Sequence, residues 1–418
     1  MDHELATLDF ADESQEAVAR RRGWIEAVVR NFREDRPSDE LVERWVAHYR
    51  TEQVIVRGAW LPGGKLGAGP TPVATYASFD KTLNAGRELL PLRMITDVTT
   101  SPTHRRQGLL RRFIEADLAD AVAQRVPVAA LTASEATIYG RWGFGPATFR
   151  QAFEVDTTAG FGLRSFVDPG RVELLDAAVA WPHVRAVFDT FHARQRGSVE
   201  WPVQYDDIHS GAFDFDNGGP NRKIRTLLHL DADGAVDGFA IYKHGEDYSL
   251  KVDEMIGLTP DAHLGLWSVL GHMDRIKKVT HGLAHPHDPL PWALTDVNRV
   301  RTTAVEEFLW IRVLDVERAL IARPWNADGR VVLAVDDPQG HAEGRFEVTT
   351  ADGAATVVRT DAPADVTLSA ETLGSLHLGG VSVSAMRRAG RVDGDDDVVA
   401  RLAAMADLSD PPYCLTGF

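Results

Sequence analysis

Between Met94 and Leu118 the chain specifies a strand, a tight basic turn and a helix in direct succession, and that order constrains the fold more than any other stretch. Met94 to Thr100 reads as a β-strand that stops at Ser101-Pro102; Arg105-Arg106-Gln107-Gly108 then opens a helix that runs through Leu118. The first amides of a helix have no intrahelical partner and sit at the positive end of its dipole, so they hold phosphate oxygens well. Gly108 lets the backbone approach a pyrophosphate closely, and Arg105, Arg106 and Arg111 place fixed positive charge around it. Arginine at a helix start opposes the dipole and costs roughly a few tenths of a kcal/mol. A cluster of arginines there points to an anionic ligand; the plainer alternative is a strand-to-helix connection with a basic first turn.

The 418 residues exceed what one core supports, and two to four domains are expected at about 100–200 residues each. A hydrophobic content of 44% with 25% charged residues is that of a soluble globular protein. Lys plus Arg number 45 against 61 Asp plus Glu, a net charge of −16, which argues against general nucleic-acid binding and suits cationic substrates. Cys414 is the single cysteine, so an intrachain disulfide and a multi-cysteine zinc site are excluded and a reducing cytosol fits. The start, Met1-Asp2-His3-Glu4, lacks a basic and then apolar leader, and no run of about 18 apolar residues occurs. Standard secretion and membrane spanning are therefore not expected.

Apolar residues recur at helical spacing over Glu16–Phe32 and Ser38–Tyr49, with Ser38 as N-cap. Gln53–Trp60, Ala74–Phe79 and Pro127–Thr132 read as strands, and Tyr139 is expected to begin a short helix after the last. From Phe153 a second cycle starts: helix at Ala177–Gln195, a hairpin over Thr226–Tyr242 turning on Asp231-Ala232-Asp233-Gly234, and helix at Ala262–Lys277. It carries no Arg-rich glycine loop, so no second cofactor is expected there. Past Val300 come strands at Val331–Val335, Arg345–Thr350 and Ala355–Thr360, then helices at Ala370–Ser375 and Asp396–Met405. No His-Glu-x-x-His, Gly-x-Ser-x-Gly or Walker pattern occurs, against zinc-protease, serine-hydrolase and nucleotidase readings. His285-Pro286-His287-Asp288 reads as a rigid turn rather than a metal cluster, because two histidines split by proline lack a third ligand at helical spacing.

Arg105-x-x-Gly108-x-Leu110 after a strand resembles the acetyl-CoA pyrophosphate loop of the GNAT N-acetyltransferases, usually Q/R-x-x-G-x-G/A, with Leu110 in place of the final Gly/Ala. Pro102-Thr103-His104-Arg105-Arg106-x-Gly108-Leu109-Leu110-Arg111, the later Ala133-Ser134-Glu135-x-x-Ile138-Tyr139-Gly140-Arg141, the His285–Asp296 segment and a chain end at Phe418 together resemble the Eis (enhanced intracellular survival) family. That resemblance implies an α+β chain: a catalytic acetyl-CoA-binding GNAT domain over 1–155, a second GNAT-like domain over 156–302, and a domain over 303–418 resembling sterol carrier proteins. It also implies acetyl-CoA as co-substrate without a metal, acetylation of several amines on multi-amine compounds such as aminoglycosides, and a homohexamer.

Acetyl transfer needs a neutral attacking amine, donors for the developing oxyanion, and a proton for the departing thiolate. By resemblance Val98, Thr99 and Thr100 hold the pantetheine and acetyl group, Thr100 being the oxyanion donor. Gln107, Leu109 and Leu110 complete the pyrophosphate turn, and Ser134 and Glu135 touch the cofactor. Tyr139 matches the family's general acid, and a phenol with pKa near 10 can protonate a thiolate; alone, it reads rather as a packed tyrosine at a helix start, and its place within Ser134-Glu135-x-x-x-Tyr139-Gly140-Arg141 reverses that preference. The family places the terminal carboxylate, here of Phe418, in the site as general base. A frayed tail is the alternative, although Tyr413, Leu415 and Phe418 look like a docking segment. Phe32, Glu34 and Trp45 lie where the family presents an aromatic and acidic wall to the amine, or else are a surface acid beside core aromatics. Asp97 stands where an aromatic is expected. A non-catalytic acyl-CoA or lipid-binding protein is the alternative function, suggested by the sterol-carrier-like part.

Overall fold

The computed structural model describes residues 3–133, 135–215 and 217–418. In chain order the first unit runs β1 (Glu4–Leu8), α1 (Gln15–Asn31), α2 (Asp39–Thr51), β2 (Ile55–Trp60), β3 (Ala74–Asn84), β4 (Leu89–Thr100), α3 (Leu109–Ala123), β5 (Val128–Thr132), α4 (Ala136–Tyr139) and β6 (Gly145–Pro146). The second continues with β7 (Phe149–Asp156), β8 (Arg171–Leu175), α5 (Ala177–Arg194), α6 (Gln204–Ser210), β9 (Arg225–Leu230), β10 (Val236–His244), β11 (Ser249–Gly257), α7 (Pro260–Gly271), β12 (Lys278–Ala284), α8 (Leu290–Ala293) and β13 (Val300–Glu307). Last come β14 (Leu309–Val313), α9 (Val316–Ile321), β15 (Gly329–Asp336), β16 (Gly344–Ala351), β17 (Ala354–Arg359), β18 (Val366–Ser369), α10 (Ala370–Leu376), α11 (Val383–Arg388), β19 (Val392–Gly394) and α12 (Asp396–Ala406).

Three mixed sheets carry these elements, in the orders β1-β2-β3-β4-β5-β14-β6, β13-β7-β12-β11-β10-β9-β8 and β17-β16-β15-β18-β19, an α+β architecture. The chain changes sheets twice: β7 leaves for the second, and β14 returns to pair with β5. Cuts after residues 155 and 302 therefore fall inside β7 and β13.

The first sheet is opened where the cleft lies. β4 and β5 run parallel and pair only over Leu92–Met94 with Val128–Ala130. Beyond Met94 they part, while β4 stays paired to β3 as far as Thr100. The backbone of β4 from Ile95 onward thus has an edge that β5 does not cover, and unpaired strand groups are ready hydrogen-bonding partners. Below the sheet, Asp117 of α3 is fully buried and accepts from Arg57 (2.6 Å), Arg93 (3.0 Å), Tyr76 (2.9 Å) and Ser78 (2.6 Å). Four donors to one carboxylate fix the pitch of the helix whose N-terminus faces the cleft.

Local differences from the sequence reading have local causes. The expected helix from Arg105 starts at Leu109, because Gly108 caps it in the left-handed region (φ +76°) while Arg105 is extended. Tyr139 closes α4 rather than beginning a helix. The helix expected to reach Lys277 stops at Gly271, where a β-carbon would lie 2.0 Å from the Phe161 ring. Ser14 and Ser38 cap α1 and α2, accepting from the amides of Ala17 and Leu41.

Candidate active site

The turn after β4 and the start of α3 line a cleft of about 630 Å³. Val98, Thr99, Thr100, Arg105, Arg106, Gln107, Gly108, Leu109, Leu110, Arg111, Glu135 and Tyr139 all reach it. Ser134 lies outside the described residues. Arg111 is engaged with Glu115 at 2.8 Å, whereas Arg105 and Arg106 make no ion pair among the described residues. The Thr99 hydroxyl is bound by Thr75 (2.6 Å) and Asn31 (2.9 Å), which leaves its backbone rather than its side chain to a ligand. Asn31, Arg33, His104 and Arg141 also line this cleft and were not singled out from the sequence. Arg141 follows Tyr139 by two residues in a motif already on view; Asn31 and Arg33 lie at the end of α1, with no local signal.

A second cavity of about 410 Å³ opens on the other side of the β4 bend. Phe32, Glu34 and Trp45 line it together with Thr96, Asp97 and Phe418, so the expected aromatic and acidic wall is assembled in one place. Phe32 borders both spaces. His48 and Tyr49 of α2, Glu52 at its C-cap and Phe215 of the second unit also contribute. Phe215 follows from tertiary packing across some 200 residues of chain.

Asp97 adopts φ +50°, where the β3–β4 register slips between Thr75 and Ala77. Its backbone carbonyl accepts from the Thr75 hydroxyl at 2.8 Å, and its Oδ2 accepts from the Tyr49 hydroxyl. Burial raises the Asp97 pKa to about 6; the Tyr49 hydrogen bond opposes this and the charge of Glu34 adds to it. Burial and the adjacent Asp97 also push the Tyr49 phenol well above its usual value. His48 is shifted below the ordinary histidine range by burial, against the pull of Asp207 at 3.1 Å.

Tyr139 is 7% exposed, its ring tilted on Trp142 and edge-on to Phe144. Burial, with the Glu135 charge behind it, raises its pKa to about 12, so the phenol keeps its proton across the physiological range. The chain end is docked, not frayed. Tyr413 donates its amide to Arg196 O at 2.9 Å, Thr416 its hydroxyl to Val199 O at 2.5 Å, and Gly417 its amide to the Tyr205 hydroxyl at 2.9 Å. Phe418 O accepts from the Thr132 hydroxyl at 2.7 Å, at the end of β5. The His285–Asp288 segment forms a turn whose His285 ring meets Tyr413 edge-on, 4.9 Å between centroids. Among the described residues no group of three or more His, Cys, Asp or Glu side chains is arranged for a metal, and no helix is long and apolar enough to cross a membrane.

Comparison with known proteins places this geometry. The sequence is 33% identical over 372 residues to N-acetyltransferase Eis of Mycobacterium bovis (strain BCG / Pasteur 1173P2), covering 86% of this chain and 87% of that one. The chain belongs to the Eis family of N-acetyltransferases. An uncharacterized N-acetyltransferase of Streptomyces griseus shares 34% identity over 384 residues, 88% of this chain and 90% of the other. The crystal structure of Eis1 from Mycobacterium abscessus superposes with a TM-score of 0.83 at 26% identity, each chain covered in full. Acetyltransferase (GNAT) domain families match residues 19–147 and 195–313, and a sterol carrier protein domain family matches 316–415. As an Eis-family enzyme the protein is an acetyltransferase, and GNAT acetyltransferases use acetyl-CoA.

Within this Eis-family chain the basic cleft belongs to the first GNAT unit. In the second, β11 and β12 again run parallel over Ser249–Val252 with Lys278–His281. Here, though, the start of α7 is occupied by the protein itself: Thr259 caps the Ala262 amide, and its hydroxyl donates to Asp237 at 2.8 Å.

Proposed function

We propose that the enzyme transfers acetyl from acetyl-CoA directly to a primary amino group of a cationic small molecule bearing several amines, aminoglycoside-like compounds included. The observation that carries this reading is the β4 bend. Thr96 and Asp97 border the acidic, aromatic cavity, Val98–Thr100 border the basic cleft, and Phe32 separates the two. A thioester lying along the uncovered edge of β4 would present its carbonyl to an amine entering from the other side. In this reading Arg105, Arg106 and the first amides of α3 hold the pyrophosphate, and the Thr100 backbone faces the developing oxyanion.

The neutral amine attacks the thioester carbon, the C–S bond breaks, Tyr139 gives its proton to the leaving CoA sulfur, and the Phe418 carboxylate accepts the proton lost by nitrogen. The raised phenol pKa supports the acid, because Tyr139 stays protonated at neutral pH. The docked tail supports the base, because Phe418 lies on the amine cavity. Three folded units near the bounds 1–155, 156–302 and 303–418, a homohexameric assembly and a cytosolic site of action belong to the same reading.

The test is CoA release from acetyl-CoA with a panel of aminoglycosides, comparing the native protein with one lengthened by a residue after Phe418. Turnover by the first and its loss in the second, with acetyl-CoA affinity kept, is the expected result. No turnover of any amine despite tight acetyl-CoA binding would favour the non-catalytic acyl-CoA or lipid-binding alternative.

A further inference from the structure

A half-buried carboxylate in a cavity is best held by a counter-charge or a full set of donors. Asp97 has neither. Tyr49 takes Oδ2, and the other carboxyl oxygen has no donor among the described residues. Among the described residues no arginine or lysine lines the cavity onto which Asp97 opens, and Glu52 on the same wall is already paired with Lys81 at 2.8 Å. The backbone shows that the orientation is built. A residue other than glycine at φ +50° within a strand, at a register slip with its carbonyl held by Thr75, is how a bulge re-aims a side chain. Phe32 and Trp45 line the same space, and aromatic faces attract cations.

We propose that Asp97 seats an ammonium group of the substrate and so selects alkylammonium compounds at this site. The assignment rests on the acetyl-transfer reading above for its meaning, since Asp97 immediately precedes the Val98–Thr100 slot, but binding alone tests it. Asp97 acts by contact with the amine; Tyr49 is a positioning residue that holds the carboxylate and keeps it ionised.

The facing groups that titrate or carry charge are Tyr49 and His48 of α2, Glu52 at its C-cap, Glu34 of the α1–α2 connection, and the Phe418 carboxyl group. An alkyl diamine stays protonated between pH 5 and 8, so any change in its affinity over that window belongs to the protein. With Asp97 titrating at about 6, affinity should fall about tenfold from pH 8 to pH 5.

The experiment is calorimetric titration of the full chain, loaded with CoA, with 1,4-diaminobutane and its neutral isostere 1,4-butanediol. Native protein is expected to bind the diamine and not the diol. Asp97→Asn tolerates the same backbone and can still accept from Tyr49, so it should keep CoA affinity, lose at least tenfold in diamine affinity at pH 8, and lose the fall toward pH 5. Tyr49→Phe removes the hydrogen bond that lowers the Asp97 pKa, so its fall should begin at higher pH; this reading stands even if Asp97→Asn folds poorly. Native protein that ignores the diamine, equal affinity in Asp97→Asn, or a pH dependence that survives that change and so belongs to His48 or Glu34 each overturns the assignment. So does a Tyr49→Phe profile that does not move. Absence of acetyl transfer while the diamine still binds through Asp97 would sink the transfer reading and leave this one standing.

Discussion

Gly108→Ala separates the cofactor role of the basic turn from its structural role. Gly108 sits at φ +76° with nothing within 4 Å of where a β-carbon would project. The folded protein therefore loses only backbone comfort: about 1–2 kcal/mol for a left-handed alanine, or roughly 2–8 °C in Tm. The open space beside it is the cleft, and under the proposed cofactor placement a methyl group there displaces a phosphate from the helix amides. Losing one charge-assisted hydrogen bond is worth about 1.5–3 kcal/mol, or roughly 10- to 150-fold in Kd for acetyl-CoA. Gly390 supplies the control, with φ +71°, nothing within 4 Å and a place just after α11, outside the residues that line the cleft. Thermal melts and calorimetric titration with acetyl-CoA on both variants should show similar Tm losses but weakened binding only for Gly108→Ala. A Gly108→Ala protein that binds acetyl-CoA within about threefold of native would refute the placement of the pyrophosphate at this turn.

Tyr139→Phe keeps the ring contacts with Trp142 and Phe144, so Tm should hardly change while kcat falls about 10²- to 10⁴-fold at unaltered acetyl-CoA affinity, read by CoA release. Asp117→Ala strands two buried guanidiniums, though Arg57 retains Asp120 and Arg93 retains Asp80. Denaturant unfolding should register a loss of about 3–5 kcal/mol, and α3 should hold acetyl-CoA less tightly at temperatures where the protein is still folded. His281 is buried, and its pKa is lowered by that burial to about 4 against 6.5 unfolded. The unfolded chain therefore binds the proton first, and its contribution is full above pH 6.5 and declines as pH falls toward 4. Denaturation at pH 7.5 and pH 4.5 should differ by up to about 3 kcal/mol through this group, a difference that His281→Asn abolishes.

The strand, basic turn and helix start were legible because their signals are local: a strand end, a proline, three arginines and a glycine within a single stretch of chain. The start of α2 was legible for the same reason, since Ser38 bonds the amide three residues ahead. What eluded the sequence depends on partners far away. β14 reads as an ordinary buried strand, and nothing in Leu309–Val313 says that it pairs with β5 rather than with the β13 beside it. The left-handed turn at Asp97 follows from a register slip with β3 and a hydrogen bond from Thr75, neither of which has a spacing rule. The end of α7 was overrun because Gly271 sits inside an apolar helical pattern, and only the Phe161 ring packed against it, 110 residues earlier, explains why the glycine is needed.

The second unit lacks a basic loop, and its corresponding helix start is closed by Thr259 and Asp237, yet it shapes the site of the first. Pro202, Val203, Gln204, Ile208 and Phe215 wall the cavity that Asp97 and Phe418 line, and Tyr205 grips Gly417 through both its amide and its carbonyl. Tyr413 reaches Leu283 and Arg196 on the same unit before the chain turns to Thr132. Residues 413–417 are therefore positioned by the second unit and delivered to the first, whatever follows chemically at Phe418. Holding a chain end still costs conformational entropy of about 1–2 kcal/mol per residue, and these hydrogen bonds with the burial of Tyr413, Cys414 and Leu415 offset that cost. A domain without an arginine-rich glycine loop thus acts as the guide that carries a six-residue segment from its own surface to the end of β5.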